Sequence, residues 1–206
     1  MIKLEGVGYS YPDAPDVPVL RGLDLEVPDG SYIAIRGSNA CGKSTLARIL
    51  NSLIPPCPGS VSAAGIVGMV FQNPENQIIG DTVEADIAFG PENLGLPTAE
   101  IRARVEDALT LTGLEGLRHR NPLTLSGGQM QRLAIAGVLA LKPECIVLDE
   151  SLSMLDSESK KEVLQVLKKL NREEALSIIL ITHDMRDCAD AGCIYELEKG
   201  KLNRKC

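Results

Sequence analysis

Several features that would announce a function are missing from this sequence, and each absence removes a class of protein. Positive charge is not in excess: 21 Lys and Arg against 28 Asp and Glu leave a net charge of −7. No global basic field therefore draws the chain to nucleic acid or to an anionic membrane. The six cysteines, at 41, 57, 145, 188, 193 and 206, form no CxxC pair and follow no regular spacing. A zinc site is disfavoured, and six reduced thiols in a cytosolic protein are expected. The N-terminal stretch MIKLEGVGYS has no apolar signal core. The longest apolar run, residues 133–141, is about half of the ~20 residues that span a bilayer. The chain is expected to be soluble by itself, so that any membrane role comes through a partner. Internal repeats and low-complexity segments are also absent.

What is present is ordinary globular material. A hydrophobic fraction of 44% and a charged fraction of 24% argue against disorder, and 206 residues suffice for one well-buried domain. Short apolar strands alternate with amphipathic helices, the pattern of an α/β fold with a largely parallel sheet. Strands are predicted over 31–36, 67–71, 145–148 and 177–181, and a helix over 43–53. Val163, Val166, Leu167 and Leu170 recur at helical spacing and predict a crossover helix covering the sheet. Residues 2–9 and 20–27 read as antiparallel strands joined by a Pro/Asp-rich loop. From about 81 to 125 the pattern is helical without strands, with Thr98 as the expected cap of one helix. The organisation expected is a single domain over 1–206. Its core comprises 1–80 and 140–206 and includes an N-terminal β subdomain; a helical subdomain is inserted over 81–139.

The chemistry starts at GSNACGKST: Gly37, Ser38, Asn39, Ala40, Cys41, Gly42, Lys43, Ser44 and Thr45. This fits GxxxxGK[ST] between a strand and a helix. A turn of small residues aims successive backbone N–H groups at a phosphate, and the helix behind it adds its positive end. Lys43 can neutralise β- and γ-phosphates, and the Ser44 hydroxyl can ligate Mg²⁺. ATP and Mg²⁺ are thus the expected substrate and cofactor. In CIVLDE, residues 145–150, an apolar strand ends on two carboxylates. Asp149 is placed to hold Mg²⁺, directly or through water, and Glu150 to polarise an attacking water. By itself such a pair also fits a solvated turn. A second anion site follows in LSGGQMQR, where Ser126, Gly127, Gly128 and Gln129 open an amphipathic helix.

Taken together, the phosphate loop, CIVLDE and LSGGQ resemble the ATP-binding-cassette (ABC) ATPases over nearly the whole chain. The resemblance implies a P-loop NTPase core and an obligate dimer in which the LSGGQ of one protomer caps the γ-phosphate held by the other. It further implies that Gln72 reaches Mg²⁺ and the attacking water, and that Asp156 bridges protomers. By the same resemblance His183 contacts the γ-phosphate and Tyr11 stacks on adenine. For Tyr11, packing on an edge strand is the alternative.

Three absences narrow the family. The run from Gln72 to Ser126 is too short for a long coiled coil, zinc-type cysteine pairs are lacking, and only one cassette is present. The segment FQNPENQIIGDTVEADIAFGPENLGLP, together with ITHDM and NREE, closely resembles the ATPase subunits of energy-coupling-factor (ECF) importers of vitamins and metals. That resemblance implies a second ATPase subunit, identical or not. It also implies a transmembrane coupling subunit docking near Glu75, Ile78, Ile79, Glu84 and Asp86, a separate membrane protein that binds the cargo, and a place at the cytoplasmic face of the membrane. Glu75, Glu84, Asp86 and Glu92 would supply negative charge to arginine-bearing helices, and the isoleucines an apolar floor. An ordinary solvated helix is the alternative.

Four departures from the family pattern bear on activity. Ala40 and Cys41 replace Gly and Ser, which should be tolerated unless position 40 needs positive φ. Ser151-Leu152 replaces Pro-Thr and is expected to loosen the following loop and slow turnover. The stretch 55–65 is short, so the antiparallel subdomain should be trimmed, and the C-terminal extension of many ECF ATPases is expected to be lacking. A slow or regulatory ATPase subunit in a heterodimer is therefore a second expectation, and a soluble ABC ATPase outside transport a third.

Overall fold

A computed structural model describes residues 1–205; Cys206 lies outside the described residues. Nine strands and five α-helices form two sheets flanked by helices. The larger sheet has the order β5-β6-β7-β3-β8-β9. It comprises β3 (Tyr32–Arg36), β5 (Val67–Val70), β6 (Cys145–Asp149), β7 (Ser177–Thr182), β8 (Cys193–Glu198) and β9 (Lys201–Arg204). All neighbours in it are parallel except β8 and β9. The smaller sheet is antiparallel, in the order β2 (Leu20–Val27), β1 (Ile2–Tyr9), β4 (Ser60–Ala63).

The central strands are continuously apolar because both of their faces are buried. Cys145, Val147, Ile179 and Ile181 point into one core, shared with the antiparallel sheet and with Leu46, Ile49 and Leu50 of α1 (Lys43–Leu50). The alternate residues Ile146, Leu148, Ile178 and Leu180 point into a second core. It is covered by α4 (Gly127–Leu139) and α5 (Ser157–Glu173), the latter through Val163, Leu167 and Leu170. A third core joins α2 (Val83–Asn93), α3 (Thr98–Thr112) and α4. Helix α4 contributes to both the second and third cores, which accounts for the apolar run noted at 133–141.

The predicted strands and helices are found, with two corrections at helix ends, while β4, β8 and β9 were not predicted. Helix α1 ends at Leu50, not 53, because Ser52 turns left-handed (φ 60°) and the Asn51 side chain donates to the Val67 carbonyl. Thr98 is the first residue of α3 and does not cap it; Pro97 holds the capping position without a side-chain bond. Of the cysteines, 41, 57, 145 and 188 are free thiols. Cys193 is disulfide-bonded, so the all-thiol expectation fails there. Among the described residues no helix is long and apolar enough to cross a membrane.

Candidate active site

Strand β3 delivers the chain into the phosphate loop, and α1 leads out of it. Gly42 precedes the helix with φ 106°, a conformation open to glycine and costly for other residues. Lys43 is 4% exposed. Its ammonium donates to the carbonyls of Gly37 (3.0 Å) and Ser38 (2.9 Å), so the lysine stitches the loop to itself. It also lies 3.0 Å from Glu150 Oε1. Ala40 takes φ 61°, so position 40 does need positive φ, and the alanine there is strained.

Strand β6 brings Asp149 and Glu150 to the same place. The Ser44 hydroxyl donates to Asp149 Oδ1 at 3.1 Å. Burial raises the Asp149 pKa above the usual carboxylate value, with the Ser44 bond pulling the other way. Glu150 itself is left-handed at φ 48°, a strain of the kind that concentrates at functional sites. Its Oε2 lies 3.6 Å from His183 Nδ1, on the turn after β7. Glu150 is thus held between a cation of the phosphate loop and the histidine. Ser153 closes the group: its hydroxyl donates to the Glu150 carbonyl at 2.7 Å and accepts from Gln72 Nε2 at 3.3 Å. Sequence reasoning missed Ser153, whose only signal is a hydroxyl three residues after the glutamate.

A cavity of about 520 Å³ opens over these groups, lined by Tyr11, Asn39, Lys43, Thr45, Gln72 and Glu150 among others. Tyr11 and Thr45 share a hydroxyl hydrogen bond at 3.0 Å, and the Tyr11 ring meets Tyr9 edge-on with centroids 5.1 Å apart. Cys41 is half-buried, and burial pushes its thiol pKa up. Another cavity, of about 770 Å³, lies between the two sheets and holds none of this chemistry.

Ser126, Gly127, Gly128, Gln129 and Asp156 do not line the nucleotide-sized cavity. Ser126 and Gln129 form a capping box at the start of α4, each side chain bonding the other's backbone N–H. The two glycines differ. A Cβ on Gly128 would come within 2.7 Å of Ser159 Cβ, so helix packing demands that glycine; on Gly127 it would meet only Leu155 at 3.6 Å. Nothing inside the chain requires glycine at 127, which leaves its face open to close approach from outside. Asp156 caps α5, accepting from the N–H groups of Glu158 (2.9 Å) and Ser159 (3.0 Å). These bonds, with the Ser159 hydroxyl, hold its pKa down. Leu152 is 1% exposed and sits in the second core, where its apolar side chain anchors the segment after Glu150.

The stretch from Phe71 to Gly80 is tied down by its amides. Asn73 caps a short 3₁₀ helix over Pro74–Asn76. Gln77 reaches back to β5, donating to the Met69 carbonyl and accepting from the Phe71 N–H. Asp86 corrects the expectation of a surface carboxylate: it is 9% exposed and accepts from the N–H groups of Ile79 (2.7 Å) and Gly80 (2.9 Å). Its charge serves the loop's backbone and is not free for a partner. Glu84 is half-buried and lies 3.5 Å from His119 Nδ1, whereas Ile79 is 58% exposed and Phe89 46%.

The family model described as ABC transporter matches residues 20–153, more than half of the chain. The chain belongs to the ABC transporter family. It is 43% identical to the energy-coupling factor transporter ATP-binding protein EcfA of Syntrophomonas wolfei, over 98% of this chain and 79% of that protein. To EcfA1 of Symbiobacterium thermophilum it is 47% identical, over 98% and 77%. Among solved structures it resembles cbiO1 of Clostridium perfringens, described as part of the ABC transporter complex cbiONQ. The TM-score there is 0.89 at 32% identity, covering 98% of this chain and 86% of that one. It also resembles the ATP-binding cassette MJ0796, solved as a dimer in a post-hydrolysis state with ADP and Pi, with a TM-score of 0.85 at 28% identity, covering 100% and 98%. The fold is thus the P-loop cassette, and the activity is ATP hydrolysis coupled to transport.

The residues present suit Mg²⁺. The Ser44 hydroxyl and Asp149 carboxylate are hard oxygen donors, the kind Mg²⁺ prefers. No cluster of three or more His, Cys, Asp or Glu able to cage a metal occurs among the described residues. Mg²⁺ commonly completes its coordination with nucleotide phosphates and water.

Proposed function

We propose that this cassette is the ATP-hydrolysing subunit of an ECF-type importer, driving uptake of a vitamin or a metal ion through a membrane coupling subunit. The observation that carries the catalytic part is Glu150, set between Lys43 at 3.0 Å and His183 at 3.6 Å. ATP enters with its phosphates against the N–H groups of residues 37–45, and Lys43 turns from Glu150 toward the β- and γ-phosphates. Glu150, released, accepts the proton of the attacking water, and His183 donates to the γ-phosphate. Gln72, hinged on Ser153, senses the same space, and Tyr11 faces the base. Ser44, Asp149 and Gln72 would hold Mg²⁺, which would supply neutralisation of charge on the phosphates.

Two cassettes act together, identical or not. Ser126, Gly127, Gly128 and Gln129 of each approach the nucleotide of the other, and Asp156 lies at that contact. The open face of Gly127 and the dimeric form of MJ0796 support this. The cassette is peripheral, on the cytoplasmic side of the membrane, and a separate membrane protein binds the cargo; the EcfA relatives and the cbiONQ complex support such an assembly. Docking uses Glu75, Ile78, Ile79 and Glu84, with exposed Phe89 extending the apolar surface. Asp86 acts behind them by shaping the loop. The test is co-purification of the membrane subunit with the Ile79→Asp/Glu84→Lys variant. Assembly should be lost while nucleotide affinity is unchanged; full assembly refutes the docking surface.

A further inference from the structure

Behind His183 lies a shielded ion-pair network that the proposed mechanism does not use. Lys160 stands in the first turns of α5, its side chain 20% exposed. Its Nζ is 3.1 Å from Asp187 Oδ1 and 3.5 Å from Asp184 Oδ2. Asp187, 2% exposed, also accepts the Thr182 hydroxyl at 2.9 Å. The Thr182 oxygen in turn accepts the Asp184 N–H at 3.0 Å. Both neighbours of His183 in the chain are therefore pinned, and the pins converge on Lys160. Arg186 also grips Asp184 through a two-pronged guanidinium contact of 2.8 to 3.1 Å, but its side chain is 88% exposed and it lies on the same turn, so it does not tie that turn to α5. The Lys160 pairs are largely out of solvent, where an ion pair fixes position.

The same turn of α5 touches the LSGGQ helix. Asp156 caps it and bonds the Ser159 hydroxyl at 2.8 Å, and Ser159 lies directly over Gly128. A path of contacts and chain neighbours thus runs from Gly128 through Ser159 and its neighbour Lys160 to Asp187 and Asp184, which adjoins His183. We propose that Lys160 is a positioning residue that sets His183 against Glu150 and the γ-phosphate, and that ties His183 to the LSGGQ helix through α5. The proposal rests on the role assigned above to His183.

Single-turnover ATP hydrolysis and nucleotide affinity are measured for Lys160→Met, Lys160→Arg, His183→Ala and the Lys160→Met/His183→Ala double variant. Lys160→Met should slow the chemical step about ten- to a hundredfold and leave nucleotide affinity unchanged, since the phosphate loop is intact. Lys160→Arg keeps the charge and should recover most of the rate. Because Lys160 acts through His183, Lys160→Met should add no loss in the His183→Ala background. An equal further loss there, or an undiminished rate in Lys160→Met alone, overturns the proposal. A wild-type rate in His183→Ala overturns the assigned role of His183, and this proposal with it. If Lys160→Met fails to fold because Asp187 is left buried without its cation, Lys160→Met/Asp187→Asn leaves no buried charge unpaired and carries the same expectations.

Discussion

Replacing Glu150 by Gln tests the central geometry most directly. The substitution is isosteric and keeps the backbone anchors, an N–H donated to the Ile181 carbonyl at 3.0 Å and a carbonyl accepting from Ser153 at 2.7 Å. Lys43 loses its carboxylate but retains the Gly37 and Ser38 carbonyls, so the phosphate loop should stay formed. What disappears is the base. Loss of a positioned general base costs about 10²–10⁴ in rate, or roughly 3–5.5 kcal/mol of barrier. Binding should move the other way. In the nucleotide-free protein the Lys43 ammonium is engaged by Glu150, and an incoming phosphate must displace that carboxylate and tolerate its charge nearby. Removing both obstacles should tighten ATP about tenfold, worth ~1.4 kcal/mol. Single-turnover hydrolysis reads the first effect, and equilibrium binding with Mg²⁺ chelated reads the second. A wild-type hydrolysis rate refutes Glu150 as the base, and weaker ATP binding refutes the competition between Glu150 and phosphate for Lys43.

Two further predictions concern strain and burial in the same site. Ala40→Gly should relieve a left-handed alanine at φ 61°, a cost of about 1–2 kcal/mol offset by ~0.4–1 kcal/mol of extra unfolded-state entropy. Thermal unfolding without nucleotide should shift up by about 2–4 °C, and a fall in melting temperature rules the strain out. Asp149→Asn should stabilise the nucleotide-free protein at neutral pH while abolishing Mg²⁺-dependent hydrolysis. Burial raises the folded pKa of Asp149, so wild-type stability is lost as pH rises from the unfolded value of about 4 through the folded one. The stability gain of the variant should therefore vanish below about pH 4 in metal-free melts, and a gain independent of pH refutes the burial argument.

The nucleotide chemistry was legible in the chain because its parts are local. A phosphate loop needs small residues before a helix, and GSNACGKST supplies them in sequence. A buried parallel strand needs apolar side chains on both faces, and CIVLDE displays that pattern and the carboxylates at its end. The antiparallel pair, the central strands and the crossover helix were legible for the same reason. Pairings across long separations were not. That Glu150 meets both Lys43 and His183 follows from β6, β7 and β3 lying side by side in the sheet, an order no local pattern encodes. Asp86 looked like a surface acid because it follows Glu84 in a stretch rich in acids; only the fold of residues 71–80 back onto α2 makes it a buried acceptor for two backbone N–H groups. Leu152 likewise reads as a loop residue until the second core closes around it. Lys160 is one lysine among several on an amphipathic helix, and only the return of the chain at 182–187 gives it two carboxylates to hold. Composition, spacing and short motifs determined which chemistry this protein carries. The tertiary structure decided which charges meet, because charge pairing acts over a few ångströms in space while the residues concerned lie tens of positions apart along the chain.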